Sequence, residues 1–410
     1  MNKIINLNTN CFNDKELLNK YLKWVTNNLN KFFNKEELFF QNNDKYSEKI
    51  QNNIDQIFSL WNQENIRKIV IIANSSIIKN ITFLQEALEL INKKNNRKLI
   101  FVDENTNTDN LIYYLSLVDK NKFAIYYINY KTNDIVLDIL FREFRKLLES
   151  QWGIQNSRKF ICFIGNKNNN IFNELINNNY QTILFSNDLN EKYLTSNCII
   201  LSLFNSNFDK KLFFKGLNKV NYEFFSKKID NDTCLYFLAI KKINSQYYQF
   251  ENIRSSQNLT NFEKWYKQLF SNIENNGFFI HNYLIYKESD YDYLNYLQDN
   301  KKISFSFWNF KNNQSLTKYE WIEKQNNLNK YVNNCLPFKI NVNNLLKEQK
   351  RTIQENLNFE INIENEMDLG YFVRFMEYLT FIYEFIQKQN NSNTAILNEL
   401  FKNNIIKEIK

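Results

Sequence analysis

Proline and glycine are nearly absent from this sequence of 410 residues, which contains one proline and five glycines. β-Sandwiches and β-barrels depend on both residues in their many turns, so the composition argues against an all-β fold. Asn takes over at turns, because it tolerates left-handed backbone better than other non-glycine residues. The five cysteines are widely spaced and form neither a metal-ligand pattern nor a disulfide framework. We therefore expect no bound metal and a reducing, cytoplasmic location.

Long apolar runs are also missing, since none approaches the roughly 20 residues that a transmembrane helix needs. The N-terminus lacks the apolar core and the small-residue cleavage site of a signal peptide. Lys and Arg number 52 against 44 Asp and Glu, an excess of 8 that is spread along the chain. We therefore expect neither membrane insertion nor a nucleic-acid partner. A hydrophobic fraction of 43% excludes a disordered chain.

Short β-rich runs alternate with helical patterns along the chain, after an N-terminal stretch with helical spacing. Strands are predicted at 68–73, 98–102, 123–128, 159–165 and 181–185, with helices at about 80–93, 109–119, 133–150 and 168–178. Continuous apolar strands between helices are typical of a parallel sheet with helices on both faces. The later pattern is less regular, with helices predicted near 193–206, 209–226, 232–244, 342–354 and 367–388 and strands near 247–253, 278–286, 303–308 and 357–363.

These patterns predict an α/β protein made of two tandem, doubly wound domains with parallel-sheet cores. An N-terminal helical segment covers residues 1–55 and the first domain covers 56–187. The larger second domain covers 188–390, and a C-terminal helix follows at 391–410.

Three strings occur in a recognisable order. FAIYYINYKTNDIVLDILFREFRKLLESQWG at 123–153 joins a strand, a loop and a helix and contains a Phe-Arg-x-Phe pattern. EKWYKQLFSNIENNGFF follows at 263–279, and a segment at 328–386 ends in a strand and a long helix. Together they resemble glucose-6-phosphate isomerase, which is built from two sugar-isomerase domains. The resemblance covers nearly the whole chain and implies the same fold.

The resemblance also implies a set of catalytic positions. In the family, a Glu moves a proton between C1 and C2, and a His helped by a Lys opens the sugar ring. The position of the Glu holds Asn272, an amide that cannot act as a base. The position of the His holds Tyr291, a poor base with an ordinary pKa of about 10. The Lys is retained as Lys402, and the basic residue of a Gly-Gly-Arg turn falls on Lys192, or on Glu191 with a one-residue shift.

The phosphate loop of the family corresponds to Lys131, Thr132, Asn133 and Asp134 here. Most of the hydroxyl groups that would hold the phosphate are lost, and Asp134 carries a negative charge where the phosphate would lie. The family's glycine-rich first turn corresponds to residues 73–77, Ala-Asn-Ser-Ser-Ile, which has no glycine.

Two further residues could in principle rescue activity. The sole histidine, His281, lies beside apolar residues and is interpreted as structural. Glu274 is retained, but it lies two residues beyond the position of the base, a shift that misplaces a carboxylate. Neither residue therefore restores the catalytic positions.

The sequence thus favours a catalytically inactive member of this family that has kept its fold. The leading hypothesis is a non-catalytic structural or scaffolding subunit of a cytoplasmic protein assembly, such as the cytoskeletal or motility machinery of a mycoplasma-type bacterium. Its expected partners are other protein subunits, copies of itself included, and it needs no cofactor. A divergent active isomerase and a sugar-phosphate sensor without turnover remain as alternatives. We also expect an oligomeric state different from the dimer of the family.

Overall fold

A computed structural model of the chain describes residues 4–7, 15–33, 47–91, 97–119, 122–129, 134–165, 171–184, 208–225, 231–248, 250–255, 259–270, 279–281, 303–311 and 357–390. They form two compact units. The first unit contains the described residues between 47 and 210. The second unit contains those at 4–33 and at 211–390.

The strands, numbered in chain order, are β1 (Ile5–Leu7), β2 (Lys68–Ala73), β3 (Lys98–Val102), β4 (Phe123–Asn129), β5 (Ile161–Gly165), β6 (Gln181–Leu184), β7 (Phe250–Ser255), β8 (Phe279–His281), β9 (Ile303–Lys311) and β10 (Leu357–Asn362). The helices are α1 (Lys15–Phe33), α2 (Ser47–Gln63), α3 (Ser75–Leu90), α4 (Thr108–Val118), α5 (Ile135–Trp152), α6 (Ile154–Ser157), α7 (Phe172–Asn177), α8 (Lys210–Phe225), α9 (Asn231–Tyr247), α10 (Thr260–Phe270) and α11 (Glu366–Asn390).

The first unit is built on a five-stranded sheet in the order β3-β2-β4-β5-β6, with every pair parallel. All seven positions of β4 are buried, as the continuous apolar run of its sequence predicts for a strand covered on both faces. The strand order reverses between β2 and β4. In open α/β sheets ligands bind outside the carboxyl ends of the strands at such a reversal, so this edge is the place to look for a site.

The second unit repeats this strand order. Its sheet runs β8-β7-β9-β10 in parallel, so β7 lies at the reversal as β2 does in the first unit. The fifth place is taken by β1 from the start of the chain, which pairs antiparallel with β10 through Ile5 and Ile361. Helix α1 contacts α9 and α11 of the same unit.

Aromatic residues fill both cores. In the first unit Trp61 packs on Tyr126 with ring centroids 4.6 Å apart, and its indole N–H donates to the carbonyl of Lys159 at 2.9 Å. In the second unit Trp308 stacks on Phe359 at 4.0 Å. Tyr126, Trp308 and Phe359 lie on strands β4, β9 and β10, so such rings join helices and strands into one packed core in each unit.

Two glycines allow α8 and α11 of the second unit to cross with their backbones in contact. A Cβ atom on Gly216 would lie 2.0 Å from the carbonyl oxygen of Met367. A Cβ on Gly370 would lie 2.2 Å from the carbonyl oxygen of Phe213. Real Cβ atoms do not approach backbone oxygens so closely, so the crossing requires glycine at both positions.

The predicted α/β class with parallel sheets in both halves is confirmed. Residues 159–160 depart from the prediction, because they belong to a short 3-10 turn, Arg158–Phe160, that precedes β5. The predicted N-terminal helical segment 1–55 is divided, with α1 in the second unit and α2 in the first. The predicted helices near 193–206, 342–354 and 391–410 lie outside the described residues. Over the part of the chain that is described, no helix has the length and apolarity needed to cross a membrane.

Candidate functional site

The carboxyl edge of the first sheet brings the end of β2 next to the start of α3. Asn74 follows β2 in an extended conformation, and its carbonyl accepts from the N–H groups of Ile77 and Ile78 at 3.0 and 3.1 Å, which begins the helix. The next residue, Ser75, points two donors at one carboxylate. Its backbone N–H donates to Glu104 at 2.8 Å and its hydroxyl donates to the same carboxylate at 2.9 Å.

Glu104 occupies the position where an anion would bind. The first N–H groups of a helix have no partner within the helix and carry the positive end of its dipole, so they attract anions. Glu104 lies two residues beyond the end of β3, the neighbour of β2 in the sheet. It therefore reaches the start of α3 from within the chain and supplies charge-assisted hydrogen bonds there. A phosphate group at Ser75 would have to displace it.

A second polar cluster lies at the carboxyl end of β4. Asn129 is fully buried, and its side-chain amide donates to the Tyr127 hydroxyl at 2.7 Å. The Tyr127 hydroxyl donates in turn to the Asp138 carboxylate on α5. Alternation along a strand places residues 127 and 129 on the same face, so they meet this helix together. Tyr127 also stacks on Phe141 with centroids 4.6 Å apart.

Burial perturbs the acid groups of this cluster. Removal from water raises the pKa of the Asp138 carboxyl above its ordinary value, while the hydrogen bond from Tyr127 and the charge of Arg142 oppose that shift. Burial, followed by the hydrogen bond to Asp138, raises the pKa of Tyr127. The phenol therefore stays protonated and acts as a hydrogen-bond donor to a half-buried carboxylate.

Asp134 is the one predicted phosphate-loop residue that the structure describes. It is the N-cap of α5, where its carboxylate accepts from the N–H of Leu137 at 3.2 Å. Such a cap satisfies a donor of the first helical turn with a negative charge. Glu104 binds the N-terminus of α3, which follows β2, and Asp134 binds the N-terminus of α5, which follows β4. Carboxylates of this chain thus bind both helix N-termini.

The second unit shows a similar contact at the end of β7. The N–H and the hydroxyl of Ser255 both donate to one carboxylate oxygen of Glu263 on α10, at 3.0 and 2.9 Å. Ser255 ends the strand that corresponds in sheet order to β2. In both units, a serine at the carboxyl edge is therefore held by a glutamate of the chain.

A buried polar network lies deeper in the second unit. Lys241 of α9 forms an ion pair with Glu251 of β7, and Ser306 of β9 donates to the same carboxylate. The Tyr266 hydroxyl lies 3.3 Å from the Lys241 ammonium and 3.2 Å from Glu251. All four residues are fully buried. Glu251 is the second residue of β7, away from the carboxyl edge, so the network links α9, α10 and two strands and is structural.

Most of the predicted site residues lie outside the described part of the chain: Asn272, Tyr291, Lys402, Lys192, Lys131, Thr132 and Asn133. Their predicted roles stay predictions. The sequence interpretation missed Glu104 and the Tyr127–Asn129–Asp138 cluster. Their positions carried a usable signal, because Glu104 and Asn129 fall at or just beyond the carboxyl ends of strands predicted to be parallel.

The described residues offer no obvious metal site or reactive thiol. They contain no group of three His, Cys, Asp or Glu side chains able to hold a metal ion. Cys162 and Cys234 are both buried, and burial raises the pKa of each thiol, to about 12 for Cys234. Such thiols are poor nucleophiles.

Comparison with curated proteins finds distant relatives that are named glucose-6-phosphate isomerase. The glucose-6-phosphate isomerase of Mycoplasma capricolum is 24% identical over 278 residues, which cover 67% of this chain and 61% of that protein. The enzyme of the same name from Mycoplasmopsis pulmonis is 24% identical over 378 residues, 87% of each chain. No family model matches the chain.

Solved structures share the fold. A hypothetical protein of Thermus thermophilus superposes with a TM-score of 0.69 at 10% identity, covering 98% of this chain and all of that one. A glucose-6-phosphate isomerase of Chlamydia trachomatis gives a TM-score of 0.60 at 9% identity, covering 95% of this chain and 73% of the enzyme. At such identities the likeness concerns the arrangement of strands and helices.

Proposed function

We propose that this chain keeps the fold of the glucose-6-phosphate isomerases without their chemistry. The proposal starts from its distant relationship to those enzymes. In this proposal it is a structural or scaffolding subunit of a protein assembly. Folds and sites separate readily, so a chain can retain a packed architecture after its catalytic groups are replaced.

The observation that carries the proposal is the contact between Glu104 and Ser75. A sugar phosphate needs free donors at a helix N-terminus, and here the N-terminus of α3 is already bound by a carboxylate at 2.8 and 2.9 Å. A phosphate dianion placed there would lie against this negative charge, and a phosphate at the N-terminus of α5 would lie against the carboxylate of Asp134 that caps that helix. Both charges oppose the binding of the substrate class that the relatives' name indicates.

Residues matched by the resemblance support the same conclusion. Asn272 stands where the family has its base, and Tyr291 stands where it has its ring-opening His. An amide cannot accept the proton that passes between C1 and C2. In this proposal both the phosphate site and the catalytic base are lost, as expected when selection for turnover has ended.

The proposed setting is the cytoplasm of a mycoplasma-type bacterium, in cytoskeletal or motility machinery. The two relatives described above come from mycoplasmas, and the excess of Asn, Lys and Ile is what AT-rich codons encode. The proposed partners are protein subunits of the same assembly, and copurification with the native chain would identify them.

An assay of fructose 6-phosphate conversion tests the loss of chemistry. We expect no turnover by the full chain. Turnover that disappears in Lys402→Ala would refute the proposal, since Lys402 is the catalytic-type residue that the resemblance retains.

A thermal shift with glucose 6-phosphate tests the sensor alternative. A ligand at 100 times its dissociation constant stabilises a protein by about 2.7 kcal/mol, a shift that is readily measured. We expect no shift. A saturable shift without turnover would replace the scaffold with a sugar-phosphate sensor.

A further inference from the structure

Basic side chains stand at the starts of four neighbouring strands of the first sheet. Arg-Lys pairs occur at 67–68, 97–98 and 158–159, at or just before the first residues of β2, β3 and β5. Lys122 immediately precedes β4. The four strands are parallel and adjacent in the order β3-β2-β4-β5, so their starts lie side by side at the amino edge of the sheet. Cations that are far apart in the sequence are thus gathered at one edge.

Six of these cations form what we call the amino-edge row: Arg67, Lys68, Lys98, Lys122, Arg158 and Lys159. Three of them, at 67, 98 and 122, are exposed, and the other three are half-buried. Arg97 is buried beside the row, with its guanidinium carbon 4.0 Å from the ring centroid of Phe58. Adjacent strands lie about 4.8 Å apart, so the row is about 14 Å long.

The contacts of the row hold its cations in place but neutralise few of them. Lys159 forms an ion pair with Glu64 at 2.6 Å, and Lys122 lies 4.0 Å from the same carboxylate. Three other cations donate to neutral oxygen atoms instead: Lys68 to the carbonyl of Leu117 at 2.6 Å, Arg158 to the side chain of Asn178 at 3.2 Å and Arg67 to the side chain of Asn65 at 3.4 Å.

The row also places like charges next to each other. Lys68 and Lys98 are partners in register across β2 and β3. Like charges at such positions destabilise a sheet. The stability of the sheet alone therefore does not favour this arrangement.

The ends of helices account for part of the row. Helices α2, α3, α4 and α5 precede the four strands, so their C-termini reach the same edge of the sheet. Each C-terminus carries about half a negative charge, so together the four offset about two cations. The hydrogen bond from Lys68 to Leu117, in the last turn of α4, is one such contact.

Carboxylates account for a further part. The described residues bring three of them to this edge beside the row: Glu64, Glu89 in the last turn of α3 and Asp119 directly after α4. Glu149 and Glu174 are both bound by Arg145, at 3.5 and 2.6 Å, and so do not act on the row. With Arg97 counted, three carboxylates and four helix ends leave about two positive charges in excess.

We propose that the amino-edge row is a docking surface for an extended, acidic segment of another protein subunit. An extended chain advances about 3.4 Å per residue, so about four residues span the row. Their carboxylates would accept charge-assisted hydrogen bonds from the Arg and Lys side chains. The inference goes beyond the proposed function, because the row lies at the opposite edge of the sheet from Ser75 and Glu104 and does not depend on the loss of turnover.

The aromatic rings beside the row favour a protein segment over single-stranded nucleic acid or lipid. Stacking of bases needs free ring faces, and a lipid surface takes up apolar rings. Here the rings lie under cations of the row, at 5.0, 5.1 and 5.8 Å from nitrogen or guanidinium carbon to centroid: Trp152 under Lys122, Phe160 under Lys159 and Tyr180 under Arg158. Proteins that bind duplexes make about 6–10 phosphate contacts, more than a local excess of about two charges supports.

Fluorescence anisotropy of a labelled oligoglutamate of about six residues, long enough to span the row, tests the inference on the full chain. We expect saturable binding that weakens as salt is added. Arg67→Glu combined with Lys98→Glu reverses two exposed charges and should raise the dissociation constant at least about 10-fold. The matched control combines Lys20→Glu with Lys23→Glu, two exposed positions on α1 of the second unit. It changes the net charge equally and should stay within about 2-fold of the wild type, because distant charges are screened.

The competing partners are tested in the same titration. Absence of oligoglutamate binding, or an equal loss in both double variants, would overturn the inference. Duplex DNA or phosphatidylserine vesicles that bind more tightly than oligoglutamate at the same concentration of negative charge would also overturn it. Turnover is measured separately, so an active isomerase that binds oligoglutamate through the row would refute the proposed function and leave this surface in place.

Discussion

Replacing Glu104 with alanine isolates the carboxylate that binds the N-terminus of α3. The variant removes one acceptor that receives both the N–H and the hydroxyl of Ser75, at 2.8 and 2.9 Å. Hydrogen bonds to a charged acceptor contribute about 1.5–3 kcal/mol each when buried. This contact is only part-buried, so water replaces some of the loss. We expect the first unit to lose about 1–2 kcal/mol, the range of a removed helix cap.

Urea unfolding followed by tryptophan fluorescence measures this change, since Trp61 lies in the core of the first unit. The matched control is Glu89→Ala, which removes an exposed carboxylate from the last turn of the same helix. A carboxylate there faces the negative end of the helix dipole, so its loss should change stability by less than about 0.5 kcal/mol.

Adding inorganic phosphate to the three proteins tests whether Glu104 occupies an anion-binding position. If Glu104 occupies an anion position, phosphate should stabilise Glu104→Ala and leave the wild type and the control unchanged. Equal stability of Glu104→Ala and Glu89→Ala, or an equal response of all three proteins to phosphate, would refute the reasoning.

Three further outcomes follow from the packing and electrostatics. Gly370→Ala should destabilise the second unit by about 1–3 kcal/mol in urea unfolding, because its Cβ would meet the carbonyl of Phe213 at 2.2 Å; a neutral result would contradict the backbone contact. Lys241→Met should cost about 3–5 kcal/mol by leaving the Glu251 charge buried without its partner, and adding Glu251→Gln should recover part of that loss; no recovery would argue against a charge effect. Burial raises the pKa of Asp138, so the folded state binds the proton of this carboxyl more tightly than the unfolded state does. The free energy of unfolding should therefore fall as pH rises above the ordinary carboxyl range. Asp138→Asn should flatten this dependence in unfolding curves measured at several pH values, and an unchanged slope would exclude Asp138 as its source.

The sequence predicted the strands of the first sheet well because their signal is local. Strand β4 is apolar at consecutive positions, which is enough to indicate burial on both faces. Strand β1 has three residues and gains its place from β10, near the other end of the chain, so no local pattern could reveal it. Short strands become visible only when their partner is known.

The contact between Ser75 and Glu104 at the carboxyl edge of the first sheet could not be predicted, because it joins residues that are far apart in the sequence. The resemblance places Ser75 in the family's first turn, but its partner Glu104 comes 29 residues later in the chain. Glu104 follows a strand like many solvated loop residues, and only the adjacency of β2 and β3 brings it to the helix. The buried position of Lys241 has no signal in the sequence, because lysine is almost never fully buried in proteins.

The pairing of β1 with β10 has a consequence for synthesis on the ribosome. Ile5 leaves the ribosome first, but Ile361, its partner across the sheet, is added 356 residues later (361 minus 5). At roughly 5–20 residues per second, that interval lasts about 20 to 70 seconds. The first unit has no such gap, because its five strands lie within residues 68–184 and can pair as soon as they emerge. The nascent chain therefore carries β1 without its partner strand while the first unit can already fold, and the β1–β10 pair of the second sheet closes only after β10 has been made.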